Sequence, residues 1–291
     1  MKKLFTITAV VCAFLTGCTD VSVNSQPDTT SDTQTVSRTS GVSYVCIGME
    51  TSARFGDCPG CKKDSNRMNA LFRDSYGYTG VLLQSENATR ATVAKAIATA
   101  VASTPADGLF ILYYSGHGGQ ENLSGWNTSE PDGADSEDEY LCLYDSYLLD
   151  DEIWKLISSC KGRVFCCFDA CHSQTMFRSI SSDISVANAR EAIPLEVKMV
   201  KSSGFNLKPR AMALDADNDF RMLCWGGCKE AEYSFGSNTG GVMTNYILKY
   251  WNADKSYSAL WSLVMSGVTK DQPTQHPVAT QYGEGFGKVF R

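Results

Sequence analysis

Histidine is scarce in this 291-residue chain, which has three histidines against twelve cysteines. So few histidines leave a narrow choice of general base. Basic residues are outnumbered as well, with 26 Lys and Arg against 32 Asp and Glu. The resulting net charge of −6 argues against nucleic acid or an anionic membrane surface as a partner and suits cationic substrates instead. The sequence shows no internal repeat.

The N-terminal region lacks an apolar run long enough to remain in a membrane as a helix. The run from Leu4 to Leu15 covers about 12 residues, whereas a spanning helix needs about 20. Two lysines precede it, and a Leu-Thr-Gly-Cys stretch ending at Cys18 resembles the bacterial lipobox. We expect cleavage before Cys18 and lipidation there; the alternative is an ordinary secretory signal with an incidental cysteine. The residue after Cys18 is Thr19, whereas signals for retention in the inner membrane have aspartate at that position. By resemblance to enterobacterial sorting, this favours the outer membrane of the bacterial cell envelope.

The composition divides the chain into three segments. Residues 1–18 form the signal, and residues 19–41 are rich in Ser, Thr, Asp, Gln and Asn, which is typical of a flexible tether. Residues 42–291 form the folded domain, for which 43% hydrophobic and 11% aromatic content supplies a buried core. In an oxidising envelope some cysteines should form disulfides, whose pairing the sequence leaves open.

Apolar strands alternate with helical segments through most of the folded domain. Strands are predicted at 43–48, 78–84, 109–115, 164–169, 221–226 and 277–281, and helices at 64–75 with a cap at Asp64, 88–103, 150–159, 241–251 and 257–268. This alternation predicts an α/β three-layer sandwich with a mainly parallel central sheet. After Cys171 the pattern lapses, and we expect a long loop at about 174–220.

Two of the predicted strands lead directly into residues suited to nucleophilic catalysis. His117 follows one strand within Ser-Gly-His-Gly-Gly, and Cys171 follows another within Asp-Ala-Cys-His-Ser. A thiol attacks as thiolate, so it needs a neighbouring base, which must also protonate the leaving amine. In open parallel sheets reacting groups gather beyond the carboxyl ends of strands. The sequence therefore predicts a His117–Cys171 dyad.

The remaining residues of these motifs divide into catalytic candidates and core residues. His172 is adjacent to Cys171, where consecutive side chains diverge, and His276 lies far along the chain, so His117 is the preferred base. The backbone amides of Gly118 and Cys171 are candidates for an oxyanion hole. The neighbouring cysteines at 166 and 167 are interpreted as buried core thiols.

These motifs resemble those of the caspase-like peptidases, and most closely the metacaspases. Tyr-Ser-Gly-His-Gly at 114–118 and Asp-Ala-Cys-His-Ser at 169–173 are similar to the family's two catalytic blocks, and the stretches at 61–64 and 227–230 are similar to its GCxxD and GCKD stretches. The resemblance implies a caspase-like fold and a cysteine endopeptidase. Gln174 departs from the pattern, since the family usually has glycine there.

The resemblance also implies a substrate preference. Metacaspases cleave after arginine or lysine, and the positions that match their S1 pocket are Asp64, Ser115, Asp169 and, more weakly, Glu230. Converging carboxylates select a guanidinium on physical grounds as well, because that group is always charged and donates bidentate hydrogen bonds to a carboxylate. The alternative for Asp64 is a helix cap, a role compatible with the first.

The acidic stretch, defined here as the Asp and Glu residues between positions 130 and 152, suggests a metal site. Asp150 and Asp151 resemble part of the calcium site of some metacaspases, and carboxylates suit Ca²⁺, although a solvated loop explains the same charges. An EF-hand at 215–226 is rejected because the required glycine and glutamate are missing. A four-thiolate zinc site made of Cys58, Cys61, Cys224 and Cys228 is disfavoured, because the envelope favours disulfides and no histidine supports the site. A thioredoxin-type redox pair at Cys58 and Cys61 is disfavoured as well, since that motif normally opens a helix directly after a strand.

The prediction is a lipid-anchored, caspase-like cysteine endopeptidase, expected to be a monomer, that cleaves protein or peptide substrates after Arg or Lys. It needs no cofactor for its chemistry, with Ca²⁺ as a candidate activator. One alternative is a catalytically silent caspase-fold binding module, and another is a legumain-like or gingipain-like peptidase with a different P1 preference.

Overall fold

The computed structural model describes residues 41–121, 138–170, 197–198, 220–229 and 232–289. The strands are β1 (Val42–Gly48), β2 (Thr79–Gln84), β3 (Leu109–Ser115), β4 (Gly118–Glu121), β5 (Asp138–Cys142), β6 (Tyr147–Leu149), β7 (Arg163–Asp169), β8 (Val197–Lys198), β9 (Arg221–Gly226), β10 (Ser234–Ser237), β11 (Gly240–Gly241) and β12 (Val278–Tyr282). The helices are α1 (Cys61–Ala70), α2 (Arg90–Ser103), α3 (Asp150–Ile157), α4 (Val242–Tyr250) and α5 (Tyr257–Asp271). A π-helical turn, Leu71–Ser75, continues α1, and a short 3₁₀ turn covers Ser85–Asn87.

The main sheet has six strands in the order β12-β9-β7-β3-β1-β2. All neighbouring pairs are parallel except β12 and β9. Strands β3 and β7 occupy the centre, which explains their nearly continuous hydrophobic sequences, since a central parallel strand is covered on both faces. Ser115 and Asp169 are register partners at the carboxyl ends of these two strands. The sheet therefore brings together the two points from which the predicted catalytic loops depart.

Two hydrophobic cores lie on opposite faces of this sheet. Phe110 and Leu112 of β3 pack on the face covered by α2 and α3. Ile111 and Tyr113, which alternate with them, pack on the face covered by α1, α4 and α5. Side chains alternate between faces along a strand, so the central strands supply both cores at once. The predicted α/β three-layer sandwich with a mainly parallel sheet is confirmed.

Two local features differ from the sequence-based expectation. Helix α1 begins at Cys61 after Gly60, which has φ of 90°, so the prediction that Asp64 caps this helix is wrong. The carboxyl group of Asp64 is instead buried and accepts hydrogen bonds from Ser115 of β3 and Gly241 of β11. The two small antiparallel sheets, β4-β5-β6 and β11-β10-β8, were not predicted, because their strands are short.

Several predicted features lie outside the described residues. These are the signal and its lipidation site Cys18, the tether up to residue 40, the nucleophile Cys171, Glu230, and nearly all of the loop at 174–220. Within the part of the chain that the structure describes, no helix is both long and apolar enough to cross a membrane.

Candidate active site

The candidate site begins where the two central strands end. Gly116 follows β3, and its amide donates to the carbonyl of Asp169 at 3.4 Å, which ties the two strand exits together. His117 comes next along the chain and is partly exposed. Cys171 stands two positions after the end of β7 in the sequence. The predicted dyad thus departs from adjacent strands, with its histidine half among the described residues.

The backbone of His117 is held firmly on both sides of its carbonyl group. Tyr114 Oη donates to the His117 carbonyl at 2.6 Å, and the amide of Cys142 donates to the same oxygen at 3.0 Å. Tyr114 Oη also lies 2.7 Å from the Cys142 carbonyl oxygen, so its single proton is shared between the two carbonyl acceptors. Burial raises the pKa of Tyr114 well above its ordinary value, so this hydroxyl keeps its proton and remains a donor. The turn bearing His117 is therefore anchored to strand β5.

The imidazole ring of His117 contacts the loop that precedes α1. Its Nε2 atom lies 3.1 Å from the backbone carbonyl oxygen of Asp57. A carbonyl oxygen only accepts, so this contact assigns the proton to Nε2 and makes Nδ1 the ring nitrogen that can take up and return a proton. The carbonyl of Asp57 thus orients the ring in the way that a base needs.

The other histidines are positioned differently. His276 Nδ1 lies 2.7 Å from Glu232 Oε1, and the His276 amide donates to Oε2 of the same carboxylate at 2.7 Å. This pairing at the start of the segment leading to β12 is consistent with a structural role. His172 lies outside the described residues.

Asp64 is fully buried and accepts hydrogen bonds from three separate elements. Ser115 Oγ donates to its Oδ2 atom at 2.9 Å, and the amide of Gly241 donates to the same oxygen at 2.7 Å. Arg67 Nη2 donates to Oδ1 at 2.8 Å. A buried carboxylate is tolerated only with such compensation. Two of the predicted S1 residues, Asp64 and Ser115, are therefore in direct contact.

Asp169 is equally buried and is held by an independent set of donors. Ser234 Oγ donates to its Oδ1 atom at 2.8 Å. Thr244 donates to Oδ2 twice, from its amide at 3.1 Å and from its hydroxyl at 2.7 Å. Because the Thr244 hydroxyl gives its proton to Asp169, the Tyr113 hydroxyl 2.7 Å away donates to it in turn. On the Oδ1 side of Asp169, Gln275 Nε2 donates to Ser234 Oγ at 3.3 Å.

The two buried carboxylates affect the pKa of the neighbouring Tyr113 hydroxyl. Burial raises the pKa of Tyr113 well above its ordinary value, and the charges of Asp64 and Asp169 raise it further. Tyr113 is thus a neutral donor next to both carboxylates, since a phenolate beside them would be strongly disfavoured. The structure therefore concentrates two buried acidic groups and their neutral donors beneath the ends of β3 and β7.

Arg67 contacts a predicted S1 residue and was not identified from the sequence. Its Nη2 atom donates both to Asp64 and, at 2.7 Å, to Asn245 Oδ1 on α4. The Arg67 side chain is 33% exposed, while the carboxyl group it contacts is 0% exposed. Arg67 lies three residues after Asp64 on α1, and that i,i+3 spacing was a readable signal. One predicted S1 carboxylate therefore already has an internal guanidinium.

Of the two residues predicted to bind calcium, Asp150 is described with its side chain, and the side chain of Asp151 lies outside the described part of the structure. Asp150 is buried at the first position of α3. Both oxygens of the nearby Glu152 are engaged, one by Arg90 and the other by the amide of Leu149 at 3.2 Å. Among the residues described, no three His, Cys, Asp or Glu side chains converge as metal ligands. A cation at Asp150 would need donors from elsewhere in the chain, so calcium binding remains a prediction.

The fold and motifs are shared with known proteins. A model of the caspase domain matches residues 45–282. Metacaspase-3 of Arabidopsis thaliana is 22% identical over 254 residues, which cover 78% of this chain and 65% of that protein. Metacaspase-1 of Ajellomyces capsulatus is 28% identical over 266 residues, which cover 84% of this chain and 67% of that protein. The chain thus spans slightly less than two thirds of the plant relative's length.

Solved structures share the same architecture. A Geobacter sulfurreducens protein superposes with a TM-score of 0.62 at 24% identity, covering 84% of this chain and 94% of that one. Caspase-1 from Spodoptera frugiperda superposes with a TM-score of 0.51 at 12% identity, covering 84% of this chain and 86% of that one. At these identities the likeness concerns the fold. Because the caspase-domain match extends over nearly all of the described sheet, the chain belongs to the caspase-domain family of peptidases.

Proposed function

We propose that this chain is a cysteine endopeptidase, anchored to the bacterial envelope through Cys18, that cleaves protein or peptide substrates after Arg or Lys. The observation that carries the proposal is the register pairing of Ser115 with Asp169 at the ends of β3 and β7. It starts the His117 and Cys171 loops from neighbouring points, with buried carboxylates directly beneath. Such an arrangement suits a nucleophile, a base and a cation pocket in one cleft.

In the proposed reaction Nδ1 of His117 takes the proton of the Cys171 thiol, and the resulting thiolate attacks the scissile carbonyl carbon. The developing oxyanion is stabilised by the backbone amides of Gly118 and Cys171. His117, held through Nε2 by the Asp57 carbonyl, uses Nδ1 to give a proton to the departing amine. Water then attacks the acyl-enzyme, Nδ1 accepts its proton, and the thiolate is released with the carboxylic acid product.

The proposed specificity rests on the buried carboxylates. Asp64 and Asp169 each have donors that keep a carboxylate oriented inside the protein. A P1 guanidinium or ammonium brought near them is attracted, whereas a P1 carboxylate would be placed beside like charges in a poorly solvated pocket. Arg67 neutralises part of this field at Asp64, which assigns the larger share of P1 attraction to Asp169.

The decisive experiment measures cleavage of a peptide library that varies only at P1. Purified wild-type chain is expected to release product from Arg and Lys peptides and to leave Asp and Asn peptides intact, with Cys171→Ala as the matched inactive control. Preferred cleavage after Asp would show that the pocket has the opposite selectivity, and preferred cleavage after Asn would favour a legumain-like specificity. Equal, background-level rates for wild type and Cys171→Ala would contradict peptidase function altogether.

A further inference from the structure

Two cysteines lie along the chain between Asp57, which contacts the candidate base, and the candidate S1 residue Asp64. Cys58 immediately follows Asp57, whose carbonyl contacts the His117 ring. Cys61 is the first residue of α1 and precedes Asp64 by one helical turn. The Cys58-Pro-Gly-Cys61 turn therefore connects the backbone that orients the base to the helix that carries an S1 carboxylate.

The two sulfur atoms are already close. Cys61 Sγ lies 2.9 Å from Cys58 Sγ, and both side chains are buried, with Cys58 3% and Cys61 0% exposed. A disulfide bond is about 2.04 Å long, so bond formation requires the sulfurs to approach by roughly 1 Å. The Cys61 amide also donates to the Cys58 carbonyl at 3.3 Å, which closes the turn.

The surrounding backbone keeps this turn in place. Gly60, between the cysteines, has φ of 90°, and a Cβ atom there would lie 2.0 Å from the Ser237 carbonyl oxygen. A side chain is therefore excluded at this position by both conformation and space. On the other side, the Cys58 amide donates to the Glu50 carbonyl at 2.7 Å. The sulfurs are held near each other by contacts to two separate parts of the fold.

We propose that Cys58 and Cys61 form a reversible disulfide by exchange with small-molecule disulfides, and that this bond fixes the Asp57 carbonyl that orients His117. The thiolate of Cys58, the less buried of the two, attacks a sulfur of glutathione disulfide; a mixed disulfide between Cys58 and glutathione forms, and one glutathione leaves as a thiol. The second cysteine displaces the other glutathione. The protein loses two protons and two electrons, and the oxidant leaves as two thiols.

The disulfide accounts for the position of the pair better than a metal does. Among the described residues no third ligand joins these thiols, since no group of three His, Cys, Asp or Glu side chains converges. The ring closed by a Cys-x-x-Cys disulfide is short, so little global stabilisation is expected from it. Its effect is local and falls on the two residues that flank it, Asp57 and Lys62. The coupling to catalysis rests on the proposed role of His117.

The modification is tested on the purified full chain in glutathione buffers of graded redox poise, quenched with iodoacetamide under denaturing conditions and digested with trypsin. Residues 55–62 form one tryptic peptide that contains both cysteines. In oxidising buffer this peptide should escape alkylation and be about 2 Da lighter than the dithiol. Peptide 156–161, with Cys160 alone, and peptide 222–229, with Cys224 and Cys228, report on general oxidation. Alkylation of both cysteines of peptide 55–62 in every buffer would overturn the proposal.

The coupling is tested with the Cys58→Ser and Cys61→Ser variants, compared with Cys160→Ala, on a P1 Arg peptide. Cys160 is a buried thiol outside the site. Each serine variant should lower kcat about tenfold with KM within about twofold of wild type, because the acid–base group and not the P1 contact is disturbed. The reference is wild type in the buffer in which its disulfide has formed. A kcat of the serine variants equal to that of this oxidised wild type would overturn the coupling. A chain that oxidises but never cleaves any peptide would contradict the proposed function while supporting the disulfide.

Discussion

The His117 turn and the carboxylate floor, defined here as Asp64 and Asp169, are built in opposite ways. The imidazole is partly exposed, and its Nε2 contacts a carbonyl in an exposed loop. Each carboxylate of the floor is fully buried and accepts three hydrogen bonds from residues on other elements or one helical turn away. The two regions nevertheless lie at the ends of the same central strands.

The difference follows from what each region must do. A general base has to exchange protons with several partners in sequence, so its ring must reach solvent and substrate. A charge that selects a substrate must stay fixed and desolvated, because its effect depends on orientation and on low local polarity. The end of β7 fixes the position of Asp169, and the turn after β3 places His117 beyond the end of the sheet.

Breaking the catalytic side should have the largest effect. Cys171→Ala removes the nucleophile, and we expect turnover of P1 Arg peptides to fall to background. His117→Ala should reduce kcat by about 10²–10⁴-fold, the usual contribution of a positioned acid–base group. Steady-state assays with a fluorogenic peptide measure both. Circular dichroism should show an unchanged fold in both variants.

The matched controls are Cys166→Ala and His172→Ala, which alter the same residue types close to Cys171 in the sequence. Both should keep most of the wild-type activity. Burial raises the pKa of the Cys166 thiol well above its ordinary value, so that thiol is unsuited to act as a nucleophile. Substantial turnover by Cys171→Ala, or loss of turnover in Cys166→Ala with a native fold, would contradict the assignment.

Breaking the floor should have the next largest effect. Asp169→Asn removes a charge but keeps similar size, and it converts one of the Thr244 contacts from favourable to mismatched. We expect kcat/KM for P1 Arg peptides to fall about 10–100-fold, as for losing a buried charged hydrogen bond worth about 1.5–3 kcal/mol. The unfolding midpoint in urea should fall too. A variant with unchanged kcat/KM for both Arg and Lys peptides would remove Asp169 from the S1 assignment.

The central sheet could be predicted from the sequence because its signals are local. Buried parallel strands appear as short apolar runs, and β3 and β7 were therefore found within about one residue of their observed ends. The alternation of strands and helices predicted a mainly parallel sheet, but not the strand order that makes β3 and β7 neighbours. His117 and Cys171 could be assigned to strand exits because each motif directly follows an apolar run.

The contacts that shape the floor could not be predicted in this way. Thr244, Gly241 and Ser234 lie far along the chain from the carboxylates that they contact, and nothing in their own sequence context indicates a buried acceptor. The start of α1 was misplaced because its first residue, Cys61, follows a glycine in the left-handed region and not a polar cap. Long-range polar contacts and caps made by backbone geometry leave little periodic signal.

Arg67 sharpens the comparison, because it is a cation of the protein placed on the floor. Arg67→Met keeps the aliphatic length but removes the guanidinium, which leaves Oδ1 of Asp64 without that donor. A P1 arginine can then compensate for it bidentately, whereas lysine does so less well. We expect the ratio of kcat/KM for Arg over Lys peptides to rise about threefold to tenfold. Competition assays with the paired peptides measure this ratio directly.

The Arg67→Met variant should also be less stable, by about 1–3 kcal/mol, because a buried carboxylate loses part of its compensation. Asn245→Ala is the matched control, since it removes the other partner of the same nitrogen while leaving Asp64 its guanidinium. It should leave the Arg over Lys ratio within about twofold of wild type. An unchanged ratio in Arg67→Met would show that this guanidinium does not tune the pocket.

The smallest expected effect concerns Asp150, which belongs to neither region and begins helix α3. If it contributes to a calcium site, millimolar Ca²⁺ should raise kcat/KM about twofold, and Asp150→Asn should abolish that response while basal turnover persists. Glu152→Gln is the control, because that side chain is engaged by Arg90 and the Leu149 amide and should affect stability more than the calcium response. Isothermal titration calorimetry separates binding from salt effects, with Mg²⁺ at the same ionic strength as the reference. Kinetics indifferent to Ca²⁺, together with no heat of binding, would assign the acidic stretch to solvation alone.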